Sequence, residues 1–214
     1  MSGTKAGPGD SAWQLSGTSR GGRAAPPKLR ASECPIEALH EEHFHQRQFC
    51  AEMELLAAAT GPRPELARRI LVNLCRDLPA HLADEEQGLF PLLRDRALPD
   101  DALDKTLSML AREHEVTQAA FAILVPALAC MADGAVPTPE DREALRRLAT
   151  SERRHLIVEN AIVLPLARLR LTDHDKRALM SEMRARRAAP PDPGSDCARA
   201  LAQLPPFVTA GTRP

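Results

Sequence analysis

Between about residue 35 and residue 187, apolar residues recur at steps of three and four, and strand-like alternation is missing. β-Branched residues are few in this stretch. Such a period lays one apolar stripe along each of a series of helices and leaves nothing from which to build a sheet. Four long helices are predicted, from about Pro35 to Ala59, Pro64 to Arg96, Asp100 to Ala132, and from the TPED stretch to near Leu171. In TPED, Thr138 suits the cap and Pro139 the first turn, while Glu140 and Asp141 suit the positive end of the helix. A shorter fifth helix, about Asp173 to Arg187, is expected to pack across the others. The connections are short, so neighbouring helices should run antiparallel, which makes the expected fold an all-α, up-down four-helix bundle. Pro79, Pro126 and Pro165 fall inside predicted helices, and each should kink its helix or divide it.

The flanks differ in composition. Residues 1–32 are rich in Gly, Ser, Pro and Ala without a hydrophobic period and read as a disordered arm. The arm carries Lys5, Arg20, Arg23, Lys28 and Arg30 against Asp10 alone. Residues 189–214 read as a Pro-rich tail in which Leu201, Leu204 and Phe207 are candidates for docking. The bundle domain is thus expected over residues 33–188. The net charge of −1 provides no general attraction to nucleic acid or to a membrane surface. No apolar run reads as long enough to span a bilayer, and no secretory signal is visible. The five cysteines are scattered and form no C-x-x-C, which suggests reduced thiols and a cytoplasmic setting. There is no tyrosine, so a tyrosyl radical is excluded from any redox chemistry.

Each predicted helix interrupts its own apolar stripe near the middle, and each interruption contains a histidine. The first stripe is Ile36, Leu39, His43, Gln46 or Arg47, Cys50, Met53, Ala57. The second is Ile70, Leu74, Leu78, His81, Glu85, Leu89, Leu92. The third is Leu103, Leu107, Leu110, His114, Gln118, Phe121, Leu124, Leu128. The fourth is Leu145, Leu148, Glu152, His155, Glu159, Ile162, Leu166, Leu169. A buried charge without a partner costs several kcal/mol, about 3–5 when one member of a pair is missing. Four helices that share this cost at one level need a common partner, and one or two cations are the simplest. Imidazole and carboxylate suit iron, manganese or zinc better than magnesium or calcium. His43, His81, Glu85, His114, His155 and Glu159 are the candidate ligands. Their number favours two ions bridged by the two glutamates, with one His-rich zinc site as the alternative. A buried His/Glu hydrogen-bond network is the purely structural reading. Glu37-x-x-His40 and Glu152-x-x-His155 superficially match a ferritin-like di-iron pattern, but they fall on the wrong helices, and Leu78 stands where that pattern needs Glu.

The stretches EALHEEHF, HLADEEQGLFPLL, LAREHE and HLIVENAIVLPLA resemble those of hemerythrin-like proteins, the HHE cation-binding domain, over about residues 35–187. The resemblance implies a non-heme di-iron centre that meets dioxygen, peroxide or nitric oxide. Carried across position by position, it makes His43, His81, His114 and His155 terminal ligands, and Glu85 and Glu159 bridges. Two departures from the oxygen carriers are visible. Gln118 stands where a further histidine is usual, and the last carboxylate follows His155 by four residues, with Asn160 at the fifth. The expected function is binding or sensing of dioxygen, nitric oxide or redox state. The alternatives are a di-iron oxidase, oxygenase or peroxide- or nitric-oxide-reducing enzyme with Glu152 as proton donor, and an iron storage or handling protein. Of the remaining candidates, His40 could replace His43 and Cys50 could offer a thiolate. His45, His174, Glu42 and Glu113 read as surface residues, and Glu86 as a solvated or supporting carboxylate.

Overall fold

The computed structural model describes residues 33–188 and 194–204, and all of its regular structure is helical. The basic arm at residues 1–32 lies outside the described residues, as does Phe207. Helix α1 spans Pro35–Ala58. A second arm runs through α2 (Pro64–Val72), a π-helical turn at Asn73–Asp77, α3 (Leu78–Asp84), a second π turn at Glu85–Leu89, and α4 (Phe90–Arg96). Helix α5 spans Leu103–Ala132. The fourth arm joins α6 (Pro139–Val158), a π turn at Glu159–Val163, and α7 (Leu164–Arg170). Helix α8 (Asp173–Ala188) and helix α9 (Asp196–Gln203) complete the described chain.

Local chemistry sets these limits. Thr138 and Asp141 form a reciprocal capping box at the start of α6, with Pro139 in the first turn. Gly134 adopts φ +105° just beyond α5, and the amides of Gly134 and Ala135 close back on the carbonyls of Met131 and Cys130. A side chain is rarely tolerated in that conformation, so glycine stops the helix there.

The three π turns share one cause. Pro79, Pro91 and Pro165 each lie six residues after the residue that opens a π turn, namely Asn73, Glu85 and Glu159. A proline has no amide to give to the carbonyl four residues back, and its ring crowds that carbonyl. Widening the preceding turn relieves the clash while the helix continues. The expected division at Pro79 and Pro165 therefore takes the form of a π turn, and Pro91 behaves in the same way. Pro126 lies inside an unbroken α5.

Two apolar cores lie on either side of the polar level. Phe49, Met53, Leu56, Leu74, Leu128 and Leu145 belong to one; Ile36, Leu39, Phe90, Leu107, Val163 and Leu164 to the other. The early residues of α1 and α5 belong to the second core and their later residues to the first, whereas the second and fourth arms begin in the first core and end in the second. Helix α1 packs mainly on α6, and α2 on α5. Helix α8 lies on α1 and α3, burying Leu179, Met180 and Met183. Gly88 permits this approach, because a Cβ there would lie 2.5 Å from Leu179 Cδ1.

Three expectations need correction. Part of the C-terminal segment is ordered as α9, with Ala200 buried and Leu201 and Leu204 against the first core. A Cys75–Cys197 disulfide ties α9 to the second arm, so these two thiols are not reduced. Their 122-residue separation concealed the pairing, since nothing in the spacing places α9 beside Asn73–Asp77. Finally, α5 is long and apolar enough, by length and composition, to cross a bilayer, the one such helix among the described residues. Asp104, Lys105, Arg112, Glu113 and Glu115 break up the first half of this helix, so no continuous apolar run of that length stands out in the sequence.

Candidate metal centre

The polar level separating the two cores contains all six candidate ligands. His43 comes from α1, His81 from the last turn of α3, His114 from α5 and His155 from the last turn of α6. Glu85 and Glu159 each open a π turn. All six side chains are buried, none more than 4% exposed.

Their inner atoms converge as two overlapping groups. His43, His81, Glu85 and Glu159 form one; Glu85, His114, His155 and Glu159 form the other. Both glutamates belong to both groups, and each divides its oxygens between them. Glu85 Oε1 lies 3.5 Å from His43 Nε2 and 3.3 Å from His81 Nε2, while its Oε2 lies 3.4 Å from His114 Nε2. Glu159 Oε2 lies 3.5 Å from His43 Nε2, while its Oε1 lies 3.0 Å from His155 Nε2. Two ligand atoms bound at about 2.1 Å and separated by 90–110° stand about 3.0–3.4 Å apart, so these spacings fit cations between the groups. His43 Nε2, His81 Nε2 and all four glutamate oxygens make no hydrogen bond. Buried polar atoms are normally satisfied, and six exceptions aimed at one place mark what a cation would satisfy.

The outer faces of the four imidazoles explain why their Nε2 atoms point inward. His81 Nδ1 donates to Glu42 at 2.9 Å, His114 Nδ1 to Glu86 at 2.9 Å, and His155 Nδ1 to Glu113 at 2.9 Å. His43 Nδ1 donates to Asn160 Oδ1 at 3.2 Å. The Asn160 amide is itself fixed by donation to the Leu156 carbonyl at 2.6 Å. With the proton on Nδ1, each ring keeps an Nε2 lone pair for a metal, and the acceptor fixes the ring's orientation. His114 Nε2 and His155 Nε2 then face each other at 2.9 Å, an arrangement that needs a cation or a proton between them.

These four acceptors form a closed ring. Glu42, beside His43, serves His81; Glu86, beside Glu85, serves His114; Glu113, beside His114, serves His155; and Asn160, beside Glu159, serves His43. Glu42 and Glu113 are therefore not simply surface residues, which corrects the sequence reading, and Glu86 is a supporting carboxylate. The signal in the sequence was adjacency: a residue next to a ligand lies about 100° around the helix, at the seam with the neighbouring arm. Helix α8 braces the ring, because Arg187 reaches Glu42 at 2.5 Å and, with Arg186, clamps buried Asp84.

Burial opposes charge throughout this layer, yet charge prevails at several groups. Glu85 is buried, but His81, His43 and His114 hold its carboxyl well below the ordinary range. Burial likewise disfavours charge on His81, but Glu85 and Glu42 raise its pKa well above the ordinary value. For His155, Glu159 and its other carboxylate neighbours outweigh burial and raise the pKa to about 9. Glu42 is lowered because His81 and Arg187 outweigh its own burial. In the absence of a cation, protons on His81 and His155 offset the charge of the carboxylates.

Glu152 stands beside this set rather than within it. Thr117 Oγ1 donates to Glu152 Oε1 at 2.7 Å, and burial raises the Glu152 pKa. Gln118 does not face the site; it is exposed, and Thr117 occupies the buried position. His40, His45 and His174 are exposed. Cys50 is buried, and burial pushes its thiol up to about 12, which argues against a thiolate ligand. Phe90 stacks on His114 with centroids 5.8 Å apart and planes 14° apart, walling that side.

A helical bundle with a buried His/Glu layer that could hold cations defines a class of metal-binding protein. The chain matches the family model described as hemerythrin HHE cation binding domain over residues 34–167, and it belongs to that family. No curated protein matches it.

Proposed function

We propose that this chain holds two iron ions at the His/Glu layer and uses them to bind or sense a small oxidant such as dioxygen, nitric oxide or peroxide. The observation that carries the reading is the division of oxygens: Glu85 and Glu159 each turn one oxygen to the His43/His81 group and the other to the His114/His155 group. In this assignment Glu85 and Glu159 would be shared between the two ions, and His43 with His81 and His114 with His155 would hold one ion each. That gives each ion about four protein donors, which would complete a zinc site but leave an iron site open to a small ligand. Iron held there would supply the electron exchange that such ligands require. The protein residues orient the imidazoles through their Nδ1 partners and exclude bulk water with Phe90 and the two apolar cores.

The reading includes an up-down antiparallel arrangement of the four arms. The ring of supporting residues favours it. The supporting residue precedes its neighbouring ligand on α1 and α5, and follows it on the second and fourth arms. A step back on an ascending helix and a step forward on a descending one turn the same way around the bundle.

The test is metal analysis of anaerobically purified protein, with its absorption spectrum before and after air. About two irons per chain and new visible bands would support the proposal. Zinc or manganese in full occupancy, or failure to take up ferrous iron, would refute it.

Glu152 favours a second reading, in which the site reduces its oxidant. It is a buried carboxyl beside the ligand layer, and burial raises its pKa and so favours the protonated form. Glu152→Gln should then slow oxidant reduction at least tenfold with iron content unchanged; an unchanged rate excludes this role.

A further inference from the structure

The inner face of α5 belongs to the bundle, but its outer face carries a second heptad pattern. Lys105, Met109, Arg112, Val116, Ala119, Ile123, Pro126 and Cys130, together with Asp133 at the C-cap, follow one another at alternating steps of four and three. All nine are exposed, with Val116 at 67% and Ile123 at 63%. From Val116 to Ala132 the helix carries no charged residue. A surface helix normally turns a charged face to water. Here the charges are confined to the two ends of an apolar stripe, which is the pattern of a two-helix seam.

We infer that the outer face of α5 is a self-association surface that pairs antiparallel with α5 of a second copy of this chain. Charge complementarity decides both the occupant and the direction. A parallel pair would set Lys105 on Lys105, Arg112 on Arg112 and Asp133 on Asp133, three like-charge contacts. An antiparallel two-fold pair removes all three. Centred near Phe121, it sets Ile123 against the partner's Ala119 and Val116 against the partner's Pro126. Lys105 and Arg112 then fall within a turn of the partner's Asp133 at each end. Because the two halves are related by the two-fold axis, one stripe supplies both sides of the interface, as closed dimers require. Helix macrodipoles also oppose favourably in this direction. His114 lies on the opposite face of the same helix, so each metal layer would stand one helix thickness from the seam.

Sedimentation equilibrium of the full chain is expected to give a dimer at micromolar concentration. The double substitution Val116→Glu, Ile123→Glu should weaken dimerisation at least a hundredfold, with helical content and bound metal unchanged. Direction is tested separately by mild oxidation in a Cys34→Ser background. Arg112→Cys should give a covalent dimer through Cys130, and Cys130→Ser should abolish it. A monomer at all concentrations, a dimer indifferent to the two glutamates, or a direct Cys130–Cys130 cross-link in the otherwise unmodified chain would overturn the inference. Co-flotation with phosphatidylcholine vesicles that the two glutamates abolish would do so too, because the stripe would then serve a bilayer.

Discussion

Removing the metal should cost this bundle a large fraction of its stability. The perturbation is exhaustive chelation at neutral pH. Six buried nitrogen and oxygen atoms of the central layer make no hydrogen bond. At about 1–3 kcal/mol each, leaving them without partners rivals the 5–15 kcal/mol by which a typical domain is stable. Protons on His81 and His155 relieve part of this cost, so the apoprotein is weakened rather than unfolded. The linkage estimate is independent. An ion present at a thousandfold over its dissociation constant contributes about 4 kcal/mol, and two such ions about 8 kcal/mol. In a chain of this size 1 kcal/mol moves the melting temperature by about 2–4 °C, so chelation should lower it by about 15–30 °C. Differential scanning calorimetry, with metal analysis of the same samples, provides the measurement. Glu85→Gln should begin near the chelated value, while His40→Ala, at an exposed position, should match the unmodified protein. Metal removed to completion with a melting temperature unchanged within about 2 °C would refute the reasoning and leave the layer as a self-sufficient hydrogen-bond network.

Other outcomes follow from the same geometry. Glu113→Gln removes the charge that orients His155 and should lower metal affinity about 10–100-fold, read by competition with a chromophoric chelator. Metal uptake should release protons near pH 7, because the raised pKa values of His81 and His155 keep them protonated in the apoprotein. The sign is fixed by that direction: affinity falls as the pH drops, and proton release from His155 fades as the pH rises through about 9, which a pH-indicator titration can follow. Gly88→Ala places a methyl against the buried end of Leu179 and should cost about 1–3 kcal/mol in urea unfolding, with the largest loss of protection in α8.

The helical class and the six candidate ligands were legible because periodicity survives up to the ligands. In α1 the expected stripe is buried, with Gln46 rather than Arg47 filling its open position. Beyond Glu159 the reading slips by one residue. Ile162 is 40% exposed and Leu169 69%, while Val163, Leu164 and Ala167 are buried instead. Beyond Glu85, Leu93 is buried rather than Leu92. In both places a π turn inserts an extra residue, and a 3.6-residue period cannot register it. Pro91 and Pro165 were the available clues, but a proline in a helix is more readily read as a kink. Glu42, Glu113 and Asn160 escaped for a different reason. Each lies off its own apolar stripe, and its importance appears only when the neighbouring arm is in place. The docking of α9 had no local signal, since Cys75 and Cys197 meet only through tertiary structure.

The sharing of both carboxylates has a consequence for how the centre fills. Two cations that each took one oxygen from Glu85 and one from Glu159, as proposed, would not be independent guests. The first to arrive would fix both carboxylates for the second but also neutralise part of the charge that would attract it. Whichever effect were larger, reciprocity would hold: each ion would alter the affinity of the other by the same factor. The half-filled protein would then be a distinct chemical state, whose abundance measures the balance between preorganisation and repulsion.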